Sequence, residues 1–500
     1  MDNRSGFFQI NDKDSVVVAT KKINKDTVIL ISDEEVRVNN EILPGHKIAI
    51  KKILKGEKVL KYGYPIGIAA QDIFPGDWVH THNMESSLHG GNSYLYNPQL
   101  TEYSKSNNNL YFNGYLRENG LTGIRNHVYL IPMVFCVNGP ITKLAEMANL
   151  VYPKSENFDG FLPLCHPYGC SQTGKDLEYT QKILANLAKN PNAGAVLIVS
   201  LGCEINSLDV FKPYLGEIDE KRIKFLVLQD CEDEFETGIQ LLKQLYEYTV
   251  SFSRETLSIS KLTIGVNCGG SDGLSGITAN PLVGKVSNEI IAQGGSVIMT
   301  EVPEMFGAEQ ILMNRAKNQQ VFTKIADLIE NYKMYFSKYG EEANENPTQG
   351  NRAGGITTLE EKSLGCILKG GEAVVEDVIE YGELIKHSGL NLLSGPGNDL
   401  VGVTAQFAAG CNLMIFTTGR GTPGGFAGPT LRISTNSQLY ERKKHWNDFN
   451  AGELLSGENI DNLAARLLDL IIKVASGEVK TMTEKNNYYE IGILRDGVTL

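Results

Sequence analysis

The stretch Leu262–Pro281, with the sequence LTIGVNCGGSDGLSGITANP, indicates the fold class of most of this chain. It begins as a continuous apolar run, becomes a glycine-rich polar loop after Cys268, and enters a helical pattern at Pro281. A continuous apolar run followed by a loop and a helix is typical of a strand buried on both faces of a parallel sheet. The same alternation recurs over residues 128–417 and predicts a large, mostly parallel α/β region.

Residues 1–90 differ from this pattern. Their short β-rich runs are separated by turn signals such as Pro44-Gly45 and Pro75-Gly76, which predicts a small β domain. Residues 91–110 are polar and aperiodic, and we expect them to form a linker. We expect the α/β region to consist of two units, residues 111–345 and 346–500, although the sequence does not fix the boundary between them.

Charge and composition exclude several classes of protein. The chain has 47 Lys and Arg against 59 Asp and Glu, a net charge of −12, which argues against a general binder of nucleic acid or of anionic membranes. No apolar run reaches the ~18 residues of a membrane helix. The N-terminus lacks the apolar core of a signal peptide, and eight cysteines are too few for a disulfide scaffold. We therefore expect a cytoplasmic protein with neither a nucleic-acid nor a membrane partner.

Cysteines, polar residues and glycines gather where the predicted strands end. Ligands of open parallel sheets bind outside the carboxyl ends of the strands, and glycine lets the backbone approach a ligand closely. A single cysteine there could be a small buried apolar residue. Together with their polar neighbours, the cysteines at these ends predict one shared site: Cys136, Cys165, Cys170, Cys203 and Cys268.

Two further motifs have a characteristic spacing. On a strand, His80 and His82 would point to one face, where they could bind a metal, exchange protons, or be a structural pair; the spacing does not decide between these. The run Gly419–Gly424 has the glycine spacing of a dinucleotide site. A helix must follow in such a site, and Pro423 forbids it, so we expect no nucleotide cofactor.

Several long motifs, in order along the chain, resemble one known family. They are Tyr62–Gly67, His80–Asn83, His166–Gln172, Gly202–Glu204, Cys268–Pro281, Glu301–Glu309, Asn351–Cys366 and Thr417–Pro423. These motifs resemble the altronate/galactarate dehydratase family from the first β domain to the end of the chain. The resemblance implies that residues 1–90 form a small β domain of the SAF (β-clip) type.

The resemblance also implies an activity. A member of this family acts as a hydro-lyase on a sugar acid, for example converting D-altronate to 2-dehydro-3-deoxy-D-gluconate and water in hexuronate catabolism. It implies a requirement for Fe²⁺, with Mn²⁺ as an alternative, and we expect a homo-oligomer, a dimer. Galactarate or another 2,3-dihydroxy acid is the alternative substrate. The galactarate branch lacks the His-x-His pair that this chain has.

The implied reaction assigns roles to residues, because it removes a C2 proton beside a carboxylate and expels the C3 hydroxyl. A base, an acid and a cation that stabilises the developing charge are needed. For proton transfer we expect His80, His82, His166 and Asp272. For the metal we expect His80, His82, Cys170, Cys203, Glu204 and Cys268, and for the substrate Arg125, Asn398, Arg420 and Thr422.

Two rival interpretations remain open. In an iron–sulfur dehydratase, three or four thiolates among Cys136, Cys170, Cys203 and Cys268 would hold a cluster. In a regulator built on an inactive hydro-lyase scaffold, the same pocket would bind a sugar acid without turnover, but no DNA-reading module is recognisable.

Overall fold

The structure is a computed structural model that describes residues 6–31, 34–88, 94–101, 109–342 and 345–500. Its N-terminal region is a small β domain of short antiparallel strands. These are β1 (Phe7–Phe8), β2 (Val16–Ala19), β3 (Val28–Ile31), β4 (Glu34–Arg37), β5 (Lys47–Ala49), β6 (Lys58–Lys61), β7 (Tyr64–Ala69), β8 (Trp78–Val79) and β9 (Met84–Glu85). They form sheets with the orders β1-β2-β5-β8 and β6-β7-β9, and the pair β3-β4. The predicted β domain is therefore confirmed.

The predicted linker, residues 91–110, lies partly outside the described residues. Its described parts are residues 94–101 and 109–110, and the first of these runs across the surface of the later α/β region. There the Tyr94 hydroxyl donates to Glu309 Oε1 (3.1 Å), and the Gln99 backbone N–H donates to the Asn314 carbonyl (2.7 Å). This part of the segment thus has fixed partners, which its polar and aperiodic sequence did not indicate.

A second region contains a four-stranded parallel sheet of order β13-β12-β14-β15 and an antiparallel sheet of order β11-β10-β16. Its strands are β10 (Tyr111–Leu116), β11 (Thr122–Gly123), β12 (His127–Pro132), β13 (Gly160–Pro163), β14 (Ala193–Ser200), β15 (Ile223–Val227) and β16 (Glu255–Ser258). Its helices are α1 (Asn138–Val151), α2 (Gly174–Lys189), α3 (Leu208–Leu215) and α4 (Glu234–Thr249). Every residue of β14 is buried, as expected for a strand covered on both faces.

The third region is built on a seven-stranded parallel sheet of order β19-β20-β18-β17-β21-β22-β23. Its strands are β17 (Thr263–Cys268), β18 (Ser296–Met299), β19 (Val375–Ile379), β20 (Gly389–Leu393), β21 (Leu413–Thr418), β22 (Thr430–Ser434) and β23 (Phe449–Asn450). Its helices are α5 (Ala279–Ala292), α6 (Glu309–Met313), α7 (Gln319–Lys338), α8 (Gln349–Ala353), α9 (Leu359–Cys366), α10 (Asp399–Ala408), α11 (Ser437–Arg442), α12 (Ile460–Ala475) and α13 (Met482–Lys485). The predicted mostly parallel α/β architecture is confirmed.

The two parallel sheets divide the chain between Val227 and Thr263. Strands from both sides of residue 345, where we placed the boundary between the two expected units, pair in the seven-stranded sheet. Its order also reverses direction around β17, so that β18 and β21 flank this strand. A ligand site is expected where strand order reverses in an open α/β sheet. Within the described residues, no helix is both long and apolar enough to cross a membrane.

Candidate active site

The carboxyl ends of β17 and β18 place thiol and carboxylate groups side by side. Cys268 is the last residue of β17, and Glu301 and Glu304 follow β18. Helix α9 and the 3₁₀ turn after it add further groups from the opposite side. We call the resulting set the edge cluster; it comprises Cys268, Glu301, Glu304, Lys362, Cys366 and Lys369, and all of them are buried.

Close contacts join the members of the edge cluster. The Sγ atoms of Cys268 and Cys366 are 3.4 Å apart, and Cys366 Sγ donates to Glu304 Oε2 (2.9 Å). Lys369 Nζ donates to Cys268 Sγ (3.0 Å) and lies 3.0 Å from Glu301 Oε2. Lys362 Nζ donates to Glu304 Oε1 (2.7 Å). Cys268, Glu301 and Glu304 therefore each have a lysine beside them, which a buried charge requires.

Glu301 adopts a left-handed backbone conformation, with φ of +67°. A residue other than glycine rarely adopts this conformation, and it costs about 1–3 kcal/mol. In this conformation the carboxylate accepts a hydrogen bond from the Cys268 backbone N–H (3.3 Å). Such strain persists only where the surrounding structure over-determines the conformation, and it concentrates at functional sites.

The surroundings of the edge cluster shift the pKa values of its acidic groups in opposite directions. The hydrogen bond with Cys366, with the charge of Lys369, lowers the pKa of Cys268 to about 6 although burial opposes this. Burial opposes ionisation of Glu304 too, but Lys362 and Lys369 hold its pKa below the ordinary value. Burial and the charge of Cys268 raise the pKa of Glu301 well above its ordinary value. The cluster therefore combines ionised and protonated acids, an arrangement typical of catalytic sites.

Asp399 lies beside the cluster, at the start of α10. A Cβ atom on Gly269 would lie 2.3 Å from Asp399 Oδ2, so the carboxylate contacts the backbone that follows Cys268. Among the described residues Asp399 has no ion pair and its side chain no hydrogen bond, and it is partly exposed. Burial, with the charges of Cys268 and Glu304, raises its pKa to about 7. A carboxylate that changes charge near neutral pH suits general acid–base chemistry.

Asp272 lies in the loop after β17, where it ties several segments together. Its carboxylate accepts hydrogen bonds from the Leu274 backbone (3.1 Å) and from the hydroxyls of Ser275 (3.1 Å) and Thr435 (3.0 and 3.1 Å). It also borders a cavity of about 540 Å³ that Arg420 lines, and Arg420 is exposed. The structure thus brings two of the predicted site residues, Asp272 and Arg420, to one cavity.

His80 and His82 do not share a strand face, because β8 ends at Val79 and residues 81–83 form a turn. His80 Nε2 is 2.9 Å from the Arg352 carbonyl, and burial lowers the pKa of this histidine. His82 is exposed. Both rings lie against Trp78, with centroids 4.9 and 5.2 Å from the indole. The two histidine rings are therefore brought together by the Trp78 indole, next to α8.

The remaining predicted proton carrier and metal ligands belong to the four-stranded sheet. His166 is buried; its Nδ1 accepts from the Tyr168 backbone (3.1 Å), so its Nε2 donates to the Pro132 carbonyl (2.7 Å). Burial lowers the pKa of His166 to about 4. Glu204 accepts from Ser200 Oγ (2.5 Å) and the Gly202 backbone (2.7 Å).

Cys170 and Cys203 lie at the same edge and are exposed. All of these residues thus follow strands of a different sheet from the one that carries Cys268.

The other predicted substrate ligands have different surroundings. Arg125 is fully buried at the amino-terminal side of β12 and binds Glu484 through two hydrogen bonds of 2.5 and 2.9 Å. This pairing favours a structural role, and substrate binding by Arg125 stays a prediction. Asn398 is exposed and caps α10 by accepting from the Val401 backbone (3.1 Å). Thr422 is half-buried in the loop between β21 and β22.

Comparison with known proteins decides the family. A model of the D-galactarate/altronate dehydratase C-terminal region matches residues 259–499, one of the second domain matches 114–249, and one of the altronate/galactarate dehydratase SAF domain matches 5–87. The altronate dehydratase of Bacillus subtilis (strain 168) is 47% identical over 495 residues, which cover 99% of each chain. This chain belongs to the altronate/galactarate dehydratase family. The resemblance inferred from the motifs is thereby confirmed.

Two Escherichia coli (strain K12) relatives indicate the branch within the altronate/galactarate dehydratase family. Its altronate dehydratase is 44% identical, with coverage of 99% of this chain and 100% of the relative. Its galactarate dehydratase (L-threo-forming) is 29% identical, with coverage of 96% and 94%. The chain is thus more similar to the altronate members than to this galactarate member.

The edge cluster contains a set of groups that could hold a metal ion. The ligand atoms of Cys268, Glu304 and Cys366 all lie within 4.8 Å of one another. Two thiols and a carboxylate suit a borderline-soft divalent ion such as iron or zinc. Glu301 lies beside this set, with Oε1 3.5 Å from Cys268 Sγ and Oε2 3.0 Å from Lys369 Nζ. The donor set therefore fits the metal that this family implies.

Of the six members of the edge cluster, only Cys268 was among the site residues predicted from the sequence, and Cys366 and Lys369 had the weakest signal. Sequence reasoning located Cys268 because a predicted strand ends there, but Cys366 ends a helix and Lys369 lies in the turn after it. The available signal was the Cys-x-x-Lys spacing of Cys366 and Lys369. Cys366 is the last residue of the family motif Asn351–Cys366. This signal was weaker than a strand end, because helix α9 is buried all round and gives no amphipathic pattern.

Proposed function

We propose that this protein is an altronate dehydratase, which converts D-altronate to 2-dehydro-3-deoxy-D-gluconate and water. The observation that carries the proposal is the identity of 47% and 44% to two altronate dehydratases over 99% of this chain. The edge cluster supports it, because it holds a candidate metal site. The carboxylate of Asp399 lies beside this cluster, at the edge of the sheet where ligands bind.

The reaction breaks the C2–H bond and the C3–O bond. The proton leaves C2, the hydroxyl leaves C3 as water, and the resulting enol takes up a proton at C3 to give the 2-keto acid. Fe²⁺, with Mn²⁺ as the alternative, would be held by Cys268, Glu304 and Cys366 and would stabilise negative charge on the substrate oxygens.

We assign the C2 proton transfer to Asp399. Unlike Glu304, this carboxylate is not paired with a lysine, and it reaches the surface of the site. Lys362 and Lys369 fix the carboxylates of the cluster and do not need to move. The histidines His80, His82 and His166, together with Asp272, stay predictions for the remaining proton transfers.

Arg420 is the cation assigned to the substrate carboxylate. It is exposed and lines the cavity beside Asp272, so an anionic ligand can reach it from solvent. The polar hydroxyls of a sugar acid would then face the glycine loops that follow β17 and β21. Substrate contacts of Asn398 and Thr422, the dimeric state and a cytoplasmic location are further proposals.

A substrate panel tests the function. Purified protein, loaded with Fe²⁺ or Mn²⁺ under reducing conditions, is incubated with D-altronate, galactarate and D-gluconate, and 2-keto acid formation is measured. We expect turnover of D-altronate and kcat/KM for galactarate at least about 100-fold lower, the discrimination that an unpaired polar group in a specific site readily supplies. Preference for galactarate would assign the other branch, and binding without 2-keto acid formation would favour a regulator.

A further inference from the structure

Three exposed thiols lie at the carboxyl edge of the four-stranded sheet. Cys136 follows β12, Cys170 follows β13 and Cys203 follows β14, and these strands are neighbours in the order β13-β12-β14. All three cysteines are exposed. Cysteine is one of the residue types most often buried, so three exposed thiols at adjoining strand ends are unusual for packing residues.

The loops that carry these thiols are held together by the backbone. The Phe135 N–H donates to the Tyr168 carbonyl (2.9 Å), and the Asn206 N–H donates to the Gly169 carbonyl (3.2 Å). Gly169 has a φ of +97°, and a Cβ atom there would lie 2.0 Å from the Met133 carbonyl oxygen. The three loops therefore form one fixed surface.

The thiols of this surface are free to bind a ligand. Among the described residues, Cys136 and Cys170 have no hydrogen-bond partner, and Cys203 only accepts a long contact from Gln229 Nε2 (3.6 Å). Two other cysteines near this edge are engaged in packing contacts. Cys165 contacts Thr142 Oγ1 (3.5 Å), and Cys231 donates to the Val227 carbonyl (3.2 Å).

The same loops contain buried amide oxygens without donors. Asn138 Oδ1, after β12, and Asn206 Oδ1, after β14, are buried and accept no hydrogen bond within the described part of the chain. The Asn206 side chain is completely inaccessible to solvent. A buried acceptor without a donor is unfavourable, and two such atoms lie in the loops that carry the exposed thiols.

We propose that Cys136, Cys170 and Cys203 bind an iron–sulfur cluster. Two thiolates on one ion stand at most about 4.6 Å apart, since each metal–sulfur bond is about 2.3 Å. Among the described residues only Cys268, Glu304 and Cys366 bring three ligand atoms within 4.8 Å. The three exposed thiols are therefore too far apart to share one ion in this arrangement.

An iron–sulfur cluster spans a wider spacing, because it distributes its thiolates over several irons. Three thiolates on a [4Fe–4S] cluster leave one iron for an oxygen ligand. This centre is separate from the edge cluster and does not depend on the proposed function.

Anaerobic reconstitution of the full chain with equal amounts of ferrous and ferric iron, together with sulfide, tests the proposal. We expect a brown protein with broad visible absorption, about four irons and four sulfides per chain, and an EPR signal after reduction. The variant C136S/C170S/C203S should lose the visible absorption and the signal. Two controls should keep both: C231S changes a cysteine near the same edge, and C268S changes the edge cluster.

Several outcomes would overturn the proposal. They are a colourless wild-type protein, a triple variant that keeps the cluster, and stoichiometric binding of a single zinc ion at these thiols without cluster formation. If the triple variant fails to show the wild-type circular-dichroism spectrum, the single variants C136S, C170S and C203S replace it, and each must lower the iron content for the proposal to stand. None of these measurements uses substrate, so failure of the proposed function leaves the result interpretable.

Discussion

At the scale of single residues, two buried lysines of the edge cluster balance the charge of its buried acidic groups. Lys362 neutralises Glu304, and Lys369 lies 3.0 Å from both Cys268 Sγ and Glu301 Oε2. Removing one partner of a buried pair costs about 3–5 kcal/mol, because the other charge is left alone. The two lysines therefore keep two thiols and two carboxylates close enough to bind a metal.

Variants of Cys366 and Asp399 are predicted to affect different properties, metal binding for Cys366 and proton transfer for Asp399. The Cys366→Ser variant removes a ligand and should lower the affinity for Fe²⁺ or Mn²⁺ by more than about 100-fold, the upper cost of losing even an outer-shell partner. The Asp399→Asn variant should keep the metal affinity and lower kcat by about 10²- to 10⁴-fold, the contribution of a general base. Metal titration and steady-state kinetics on both variants provide the measurement.

Each of these two variants is the control for the other. If Asp399→Asn lost metal affinity while keeping kcat at saturating metal, the assigned roles would be reversed. If Cys366→Ser bound metal as wild type does, the thiol would be a packing group. Cys231→Ser, which changes a half-buried cysteine away from the edge cluster, should alter neither quantity.

The residues of the candidate site were predictable from sequence only where they end strands. Cys268 ends one continuous apolar run, and Glu301 and Glu304 follow another. The rule for parallel sheets therefore points to this edge, although only Cys268 was predicted as a site residue. Cys366 and Lys369 come from a helical segment about 100 residues later, and no local pattern indicates that it folds over the sheet edge. The His80–His82 prediction depended on one strand continuing through both residues, and β8 ends at Val79, before either of them.

At the scale of elements, the loop after β17 depends on glycines that allow backbone to pack on backbone. The Gly273 N–H donates to the Gly354 carbonyl (2.7 Å), and a Cβ atom on Gly273 would lie 2.0 Å from the Gly45 carbonyl oxygen. Gly45 belongs to the N-terminal β domain. The glycine-rich sequence, which predicted close approach of backbone to a ligand, is here also required for close approach between two domains.

Gly273→Ala is therefore expected to be destabilising. The added methyl group cannot fit without separating the loop from the N-terminal domain, and overpacking of this kind costs about 1–3 kcal/mol. Chemical denaturation should show the lower stability, and kcat/KM should fall because Asp272 is the adjacent residue. Gly350→Ala is the matched control: its Cβ would have no atom closer than 3.8 Å, and stability equal to that of Gly273→Ala would contradict the steric argument.

At the scale of the whole molecule, a buried ion-pair network docks the N-terminal β domain on helix α9. Lys47 Nζ and Lys61 Nζ each lie 2.8 Å from the carboxylate of Glu361. All three side chains are almost completely buried. Because α9 also carries Lys362 and Cys366, this docking fixes the helix that completes the edge cluster. The short β-rich runs and turn signals of residues 1–90 separate the β domain in the sequence, but no local pattern pairs Lys47 with a carboxylate more than 300 residues away.

The Glu361→Gln variant tests this docking through its dependence on pH. Although burial opposes ionisation, Lys47 and Lys61 lower the pKa of Glu361 from 4.5 to about 2. The stabilisation from the carboxylate is therefore complete above pH 4.5 and is lost as the pH falls toward 2. The variant should be less stable at neutral pH by about 3–5 kcal/mol, since two buried ammonium groups lose their partner.

Between pH 4.5 and 2 the stability of the Glu361→Gln variant should fall less steeply than that of the wild type, because no carboxylate remains to be protonated. Unfolding by denaturant across this pH range measures both effects. Glu41→Gln, which removes a half-exposed partner of Lys22, should change the stability by less than about 1 kcal/mol. Parallel pH curves for wild type and Glu361→Gln would show that the pKa of Glu361 is the same in the folded and the unfolded chain, so that the lysines do not stabilise its charge. The neutral-pH cost would then come from packing, and the docking would depend on shape instead of charge.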